Sequence, residues 1–358
     1  GDSDKDGLNE MIIYGRTSND FYTKVYESNS FNAYPTNLAW QSPRQNMWQV
    51  GAKIADTDND GKKEIVVAGQ LNAYSGGIDI YENTGDNSYQ LIYSTAYSDI
   101  HTPQSMEVAN DIDGDGKKEI LIGGLTAGTA GGNKLYMIEN TGDNTYQQIW
   151  SSTIQDSGMP LNIQAIKFLG DTDNDGKKEF VAGGLRPVPQ LGDPWYYVFK
   201  VYEAVSDNQF NEVWSVEIFS MGAGFSEVSL NALDLDGNGI SEIAIKVDSG
   251  NSANNGYLYV FKNAGDNTFS PIWQSLVLHS SYSSGIGLGD HDNDLLPEII
   301  AGDIYEINSL SNFTKYFYYT LNDSDCTVNL TLASGKEHTL KARYATNACD
   351  NIWNASIL

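Results

Sequence analysis

Basic residues are scarce in this chain. Its 21 Lys and Arg stand against 47 Asp and Glu, a net charge of −26, and that deficit excludes nucleic-acid partners, whose phosphates reward clustered cations. No apolar run reaches the ~20 residues of a membrane-spanning helix. No signal-peptide pattern opens the sequence, so it reads as a mature protein or a fragment of one. The four histidines, His101, His279, His291 and His338, lie far apart without metal or triad spacing. A nucleophile elbow, a phosphate loop and a zinc motif are all missing. The expectation is therefore a protein that is not an enzyme. Cysteine is limited to Cys326 and Cys349. They bracket a short β region and read as a disulfide formed in an oxidising compartment, the alternative being two buried free thiols.

Acid is what the chain has in excess, and it is concentrated. The stretch "DTDNDGKKEI" at Asp56 returns as "DIDGDGKKEI" at Asp111, "DTDNDGKKEF" at Asp171, "DLDGNGISEI" at Asp234 and "DHDNDLLPEI" at Asp290, with "DSDKDGLNEM" at Asp2. These six loops hold 23 of the 47 acidic residues. Their starts lie 54 to 63 residues apart, a period that marks an array of supersecondary units.

Each loop has the chemistry of a hard-cation site. Carboxylates at positions 1, 3 and 5 can turn inward together, glycine at position 6 supplies the positive φ of a tight turn, position 7 offers its carbonyl, and the acid at position 9 closes the shell. The ligand sets are Asp2, Asp4, Asp6, Leu8 and Glu10; Asp56, Asp58, Asp60, Lys62 and Glu64; and Asp111, Asp113, Asp115, Lys117 and Glu119. The remaining three are Asp171, Asp173, Asp175, Lys177 and Glu179; Asp234, Asp236, Asn238, Ile240 and Glu242; and Asp290, Asp292, Asp294, Leu296 and Glu298. Oxygen-only ligation by several carboxylates on a flexible loop suits Ca²⁺ rather than Zn²⁺ or copper, so about six Ca²⁺ are expected. The alternative is six solvated acidic turns. Like charges so close repel one another unless a cation neutralises them, and only Lys5 lies inside an acidic triplet. The fifth and sixth loops are weaker, through Asn238 and through Leu295 in place of glycine.

The flanks differ from those of an EF-hand, which has helices on both sides and its glutamate at position 12. Here the acid at position 9 runs straight into "EIVVAG", "EILIGG", "EFVAGG", "EIAIKV" or "EIIAGD", so the loop joins two strands. A Gly-rich connection, an alternating strand ("GIDIYEN", "KLYMIEN", "YVFKVYEA", "YLYVFKN"), a polar turn around Asp-Asn and a strand with a central aromatic complete a four-stranded unit. Such units repeated radially make propeller blades. Trp40, Tyr93, Trp150, Trp214 and Trp273 recur with the unit, as core between blades rather than as ligand-stacking residues.

The pattern "GDTDNDGKKEFVAGG" from Gly170 resembles the FG-GAP repeats of integrin α-subunit propellers and the related VCBS-type repeats. The resemblance covers residues 1 to about 320. It implies a calcium-binding, all-β β-propeller of six to seven four-stranded blades, residues 1–318, whose Ca²⁺ loops join the first and second strands of each blade. A small C-terminal β segment, 319–358, follows as a separate module or a ring-closing blade. Six motifs fall short of the family's usual seven, and the inner strand of the first blade should precede Asp2. Upstream residues, the tail "NIWNASIL" or a strand from a neighbouring molecule could fill that place.

Four sequons cluster late in the chain, at Asn312, Asn322, Asn329 and Asn354, and are candidate glycosylation sites. The face opposite the calcium loops, rich in Ser, Gly, Asn and aromatics, is expected to take a protein or glycan ligand, with Trp48, Tyr74, Arg186, Trp195 and Tyr282 as candidate contacts; the alternative is loop residues packing on one another. The functional expectation is a non-enzymatic extracellular or cell-surface scaffold or adhesion protein, possible subunit of a surface layer or filament built by strand addition. The second reading is a carbohydrate-binding propeller, alone or as a non-catalytic part of a polysaccharide-active enzyme.

Overall fold

The structure, a computed structural model, describes residues 2–17, 20–31, 33–43, 49–72, 75–125, 134–186, 195–220, 228–247, 256–275, 286–289, 297–307, 311–319, 327–331 and 337–341. Among them every regular element is a β-strand. Each repeat folds as one antiparallel sheet whose strands pair in chain order. The first contains β1 (Glu10–Thr17), β2 (Asp20–Ser28) and β3 (Pro35–Gln41). The second contains β4 (Gln49–Ala55), β5 (Glu64–Asn72), β6 (Ser75–Gly85) and β7 (Ser88–Tyr97), and the third β8 (Thr102–Val108), β9 (Glu119–Leu125), β10 (Lys134–Gly142) and β11 (Thr145–Thr153). A small hairpin, β12 (Gln155–Asp156) and β13 (Met159–Pro160), precedes the fourth sheet of β14 (Asn162–Gly170), β15 (Glu179–Arg186), β16 (Trp195–Ser206) and β17 (Gln209–Ser220). The fifth has β18 (Val228–Leu233), β19 (Glu242–Val247), β20 (Tyr257–Asn263) and β21 (Phe269–Gln274); the sixth has β22 (Ile286–Gly289), β23 (Glu298–Ile307) and β24 (Ser311–Tyr319). A separate pair, β25 (Thr327–Thr331) and β26 (Glu337–Lys341), lies in the C-terminal segment.

Four sheets thus have the four strands read from the sequence, and the first and sixth have three among the described residues. Two compact units divide the chain. One is Gly1–Phe168 with Ala182–Arg186 and Glu203–Asn211; the other is Leu169–Val181 with Pro187–Tyr202 and Glu212–Leu358.

In the second to fifth sheets the second strand is apolar at consecutive positions because both of its faces are covered, a pattern unlike the alternation of a half-exposed strand. Ile65 and Val67 of β5 pack with Val25, Trp40 and Tyr81, while Val66 and Ala68 pack with Ile78, Ile80, Ile120 and Ile122. In the other unit Leu235, Ala244, Leu258 and Val260 pack with Ile286 and Ile299. Close strand approach fixes Gly77, where a Cβ would meet the Thr95 carbonyl oxygen at 1.9 Å. β1 departs from this pattern. Its Met11 and Ile13 are 43% and 45% exposed, against 0% and 1% for Ile65 and Val67 at the same positions of β5, and within its sheet β1 is an edge strand beside β2.

The recurring aromatics sit at a shared irregularity. Register shifts opposite Val25/Tyr26, Ile80/Tyr81, Met137/Ile138 and Val260/Phe261 leave one extra residue just before Trp40, Tyr93, Trp150 and Trp273. Such bulges re-aim the next side chain. Three of these rings, and Trp214 of the fourth repeat, meet aromatics of the following repeat: Trp40 with Tyr89 at 5.2 Å, Tyr93 with Tyr146 at 5.4 Å, Trp150 with Phe210 at 5.6 Å and Trp214 with Phe269 at 5.1 Å between centroids. These are core contacts, as the period implies. Trp150→Ala is expected to cost about 2–4 kcal/mol of stability, read as a lower midpoint in urea unfolding; an unchanged midpoint would remove Trp150 from the core.

Candidate metal centres

The first five acidic loops lie among the described residues, each ending on the position-9 glutamate that opens the strand after it. The sixth loop, with Asp290, Asp292, Asp294 and Leu296, lies outside them; Glu298 opens β23, and its side chain is not described.

Backbone turns build each loop, and its own carboxylates hold it. The aspartate at position 1 accepts from N–H groups at positions 4 and 6, as with Asp56 from Asn59 at 2.7 Å and Gly61 at 3.2 Å, or Asp111 from Gly114 at 2.6 Å and Gly116 at 3.1 Å. The side chain at position 5 accepts from the N–H of position 7: Asp6 from Leu8, Asp60 from Lys62, Asp115 from Lys117, Asp175 from Lys177 and Asn238 from Ile240, all at 2.7–2.8 Å. Position 6 has the expected positive φ, 87° at Gly61 and 91° at Gly116. Position 4 has it too, at Lys5, Asn59, Gly114, Asn174 and Gly237. The Asn and Gly there are the residues that tolerate this region most easily, and Lys5 is the costly exception.

The result is a convergence of oxygen atoms. Carboxylate oxygens of Asp2, Asp4, Asp6 and Glu10 can all lie within 4.8 Å of one another, as can those of Asp111, Asp113, Asp115 and Glu119, those of Asp171, Asp173, Asp175 and Glu179, and those of Asp56, Asp58 and Asp60. Glu64, Glu119 and Glu179 are wholly buried. In each, Oε2 accepts the N–H of position 2, from Thr57 at 2.5 Å, Ile112 at 2.5 Å and Thr172 at 2.7 Å. Oε1 is buried with no hydrogen-bond donor. A buried carboxylate oxygen without a donor beside three aspartates is strongly disfavoured unless a cation faces it. The residues present therefore fit Ca²⁺, with Asp 1, 3 and 5 and Glu 9 as the holding groups.

Contacts to the next repeat were not legible in the motif. Oδ2 of the position-3 aspartate accepts the backbone N–H of an asparagine in the following repeat's Asp-Asn turn: Asp4 from Asn87 at 2.8 Å, Asp58 from Asn144 at 2.8 Å, Asp113 from Asn208 at 2.7 Å and Asp173 from Asn267 at 2.9 Å. These asparagines have φ of 53°, 57°, 58° and 50°, which turns the N–H outward. Each of these Asp-Asn turns accordingly lies against the acidic loop of the repeat before it. Lysines at position 8 join loops sideways, Lys63 to the Asp2 carbonyl at 2.8 Å and Lys118 to the Asp56 carbonyl at 2.5 Å. Position 2 is matched across repeats as well: Ser3 bonds the Tyr89 hydroxyl and Thr57 the Tyr146 hydroxyl, each at 2.6 Å.

Of the candidate ligand contacts, Arg186 is ion-paired with Asp156 of the small hairpin, an engagement the sequence did not suggest. Trp195 begins β16; its side chain is not described, and Trp48, Tyr74 and Tyr282 lie outside the described residues. So do Cys326, Cys349, Asn322 and Asn354, while Asn312 and Asn329 fall on β24 and β25 with side chains not described.

Sheets of four meandering strands, repeated with loops joining first to second strand, define the chain as an all-β propeller-type repeat protein. Residues 56–122 and 111–182 match the FG-GAP-like repeat family, so this part of the chain carries FG-GAP-like repeats. No curated protein matches it in sequence. Among solved structures it is similar to the periplasmic gluconolactonase PpgL of Pseudomonas aeruginosa, at 10% identity over 93% of this chain and 95% of that one with a TM-score of 0.45. The β-propeller domain of the Trilobed protease from Pyrococcus furiosus is similar at 13% identity over 96% and 97%, TM-score 0.42. The C-terminal domain of Pseudomonas aeruginosa PilY1 is similar at 10% identity over 94% and 79%, TM-score 0.43. Identities this low transfer neither activity nor ligand.

The ion-free loops have a pH signature. Burial pushes the Glu64 carboxyl up from 4.5 to about 7, against the opposing hydrogen bonds from Thr57 and with added repulsion from Asp58 and Asp56. Glu119 rises to about 8 and Glu179 to about 7 for the same first reason. A carboxyl whose pKa is raised by folding favours the folded state below its unfolded value and loses that contribution as pH climbs through the folded one. Chelated protein is therefore expected to melt at a lower temperature at about pH 8.5 than at about pH 6. Saturating Ca²⁺, which favours the ionised carboxylates, should remove that fall. A chelated melting temperature that stays level or rises over this range would contradict the assignment.

Proposed function

We propose that the chain is a calcium-stabilised, non-enzymatic binding protein of the cell exterior, a scaffold or adhesion propeller whose acidic loops are structural. The observation that carries this reading is the repeated unpartnered Oε1 of Glu64, Glu119 and Glu179. Carboxylates that might otherwise serve as general acid and base are held in loop hydrogen bonds and in contacts to the next repeat, where a bound cation keeps them ionised. Extracellular fluid, where free Ca²⁺ is abundant, is the setting in which weak sites of this type stay loaded.

On this reading the ligand, a protein or a glycan, binds the face opposite the loops. The Cys326–Cys349 disulfide, glycans at Asn312, Asn322, Asn329 and Asn354, and residues 319–358 as a distinct C-terminal module belong to the same proposal. The exposed Met11 and Ile13 on edge strand β1 suit addition of a further strand, and with it homopolymer growth into a layer or filament.

The experiment is a pair of measurements on one preparation. Thermal melts with Ca²⁺ and with chelator at equal ionic strength are expected to separate by several degrees, since an ion bound only by the folded state raises its stability. Coincident melts with no bound Ca²⁺ would sink the calcium role. A glycan array in Ca²⁺ then tests the ligand class: strong binding to one glycan type would replace the scaffold reading with a carbohydrate-binding one.

A further inference from the structure

The fifth loop differs from the others in what faces its position-9 glutamate. In the second, third and fourth loops, Oε1 of Glu64, Glu119 and Glu179 has no donor. In the fifth, Oε1 of Glu242 likewise accepts no hydrogen bond, but the Lys262 ammonium lies 3.5 Å from it, within ion-pair reach, and is ion-paired with Oδ2 of Asp236. Glu242 is fully buried, and the Lys262 side chain is 28% exposed.

Sheet register puts the lysine there. Phe261 of β20 pairs with Ile243 of β19, which brings Lys262 alongside Glu242, one residue further on. The same place in the second and third repeats holds a glutamate, Glu82 opposite Glu64 and Glu139 opposite Glu119. In those repeats the cation comes from position 7: Lys62 pairs with Glu82 and Asp60, and Lys117 with Glu139 and Asp115. The position-9 oxygen is left free for an ion. The fifth repeat has Ile240 at position 7 and Lys262 on the third strand, so the positive charge has moved from the loop's outer side to its glutamate. Position 5 has also lost its carboxylate, to Asn238. Oδ2 of Asp236, the oxygen that in Asp4, Asp58, Asp113 and Asp173 accepts a backbone N–H from the next repeat, accepts from the Lys262 ammonium of its own repeat.

We propose that the fifth loop is closed by the Lys262 ammonium in place of a divalent ion, as a calcium-independent member of a calcium-binding array. The inference rests on the calcium reading of the other loops. A Ca²⁺ at this loop would share Asp236 and Glu242 with a fixed positive charge, and repulsion between the two cations opposes its entry. It would also find one carboxylate fewer than in the neighbouring loops, in a site class whose affinity follows ligand charge.

The test counts Ca²⁺ per folded chain by elemental analysis after equilibration in buffer of fixed low free Ca²⁺. Asp113→Ala is expected to lose one ion relative to wild type, and Asp236→Ala to lose none. The double variant Lys262→Glu with Asn238→Asp, which restores the residues of the second and third repeats, is expected to gain one. Loss of an ion from Asp236→Ala, or no gain in the double variant, overturns the proposal; if Asp236→Ala does not fold, the double variant alone decides. A wild-type chain without Ca²⁺ overturns the calcium reading itself and this inference with it. That failure is read on the wild type before any substitution is made.

Discussion

A buried carboxylate oxygen with no donor sets the terms for the described loops. Oε1 of Glu64, of Glu119 and of Glu179 occupies that position, each a few residues after three aspartates at alternate positions. The other oxygen of each glutamate is tied to the backbone of position 2, so the side chain cannot swing out to water without breaking a charge-assisted hydrogen bond worth about 1.5–3 kcal/mol. The oxygen stays inside, and neutralisation must come to it. Ca²⁺ would be one solution, and an ammonium on the adjacent strand, as with Lys262 beside Glu242, is another.

The same loops also join the repeats. One oxygen of each position-3 aspartate holds the next repeat's Asp-Asn turn, and lysines at position 8 reach back to the previous loop. Cation binding and repeat stacking therefore act on shared residues. Stability in such an array is a sum of unit and nearest-neighbour terms, and on the proposed calcium reading the neighbour term includes a group that would also face the ion. Removal of that cation would then free mutual repulsion at the joint between two sheets as well as within one loop. The aromatic pairs above the bulges, Trp150 with Phe210 among them, are the apolar part of that joint and do not depend on the ion.

How much of this was legible follows from the range of each interaction. The loops could be read because their function is written in side-chain charge over nine residues, and the second strands because continuous apolar runs signal burial on both faces. The positive φ at position 6 was visible through glycine. At position 4 it was not, because Lys5 occupies that conformation alongside Asn59 and Gly114. The contacts from Asn87, Asn144, Asn208 and Asn267 span 83 to 95 residues, and a recurring Asp-Asn dipeptide announces a turn without naming its partner. Arg186 looked available for a ligand until the small hairpin supplied Asp156. Lys262 was in plain view as the one lysine aligned with Glu82 and Glu139, but its meaning needed the pairing of β19 with β20.

The central claim is that a cation completes the loops at the free oxygen of the position-9 glutamate. Anomalous scattering from a crystal grown in Ca²⁺ tests it directly. The account predicts strong anomalous peaks beside Oε1 of Glu64, Glu119 and Glu179, each surrounded by the three aspartates of its loop. Well-ordered loops with no peak, and with water or a lysine ammonium against those oxygens instead, would contradict it.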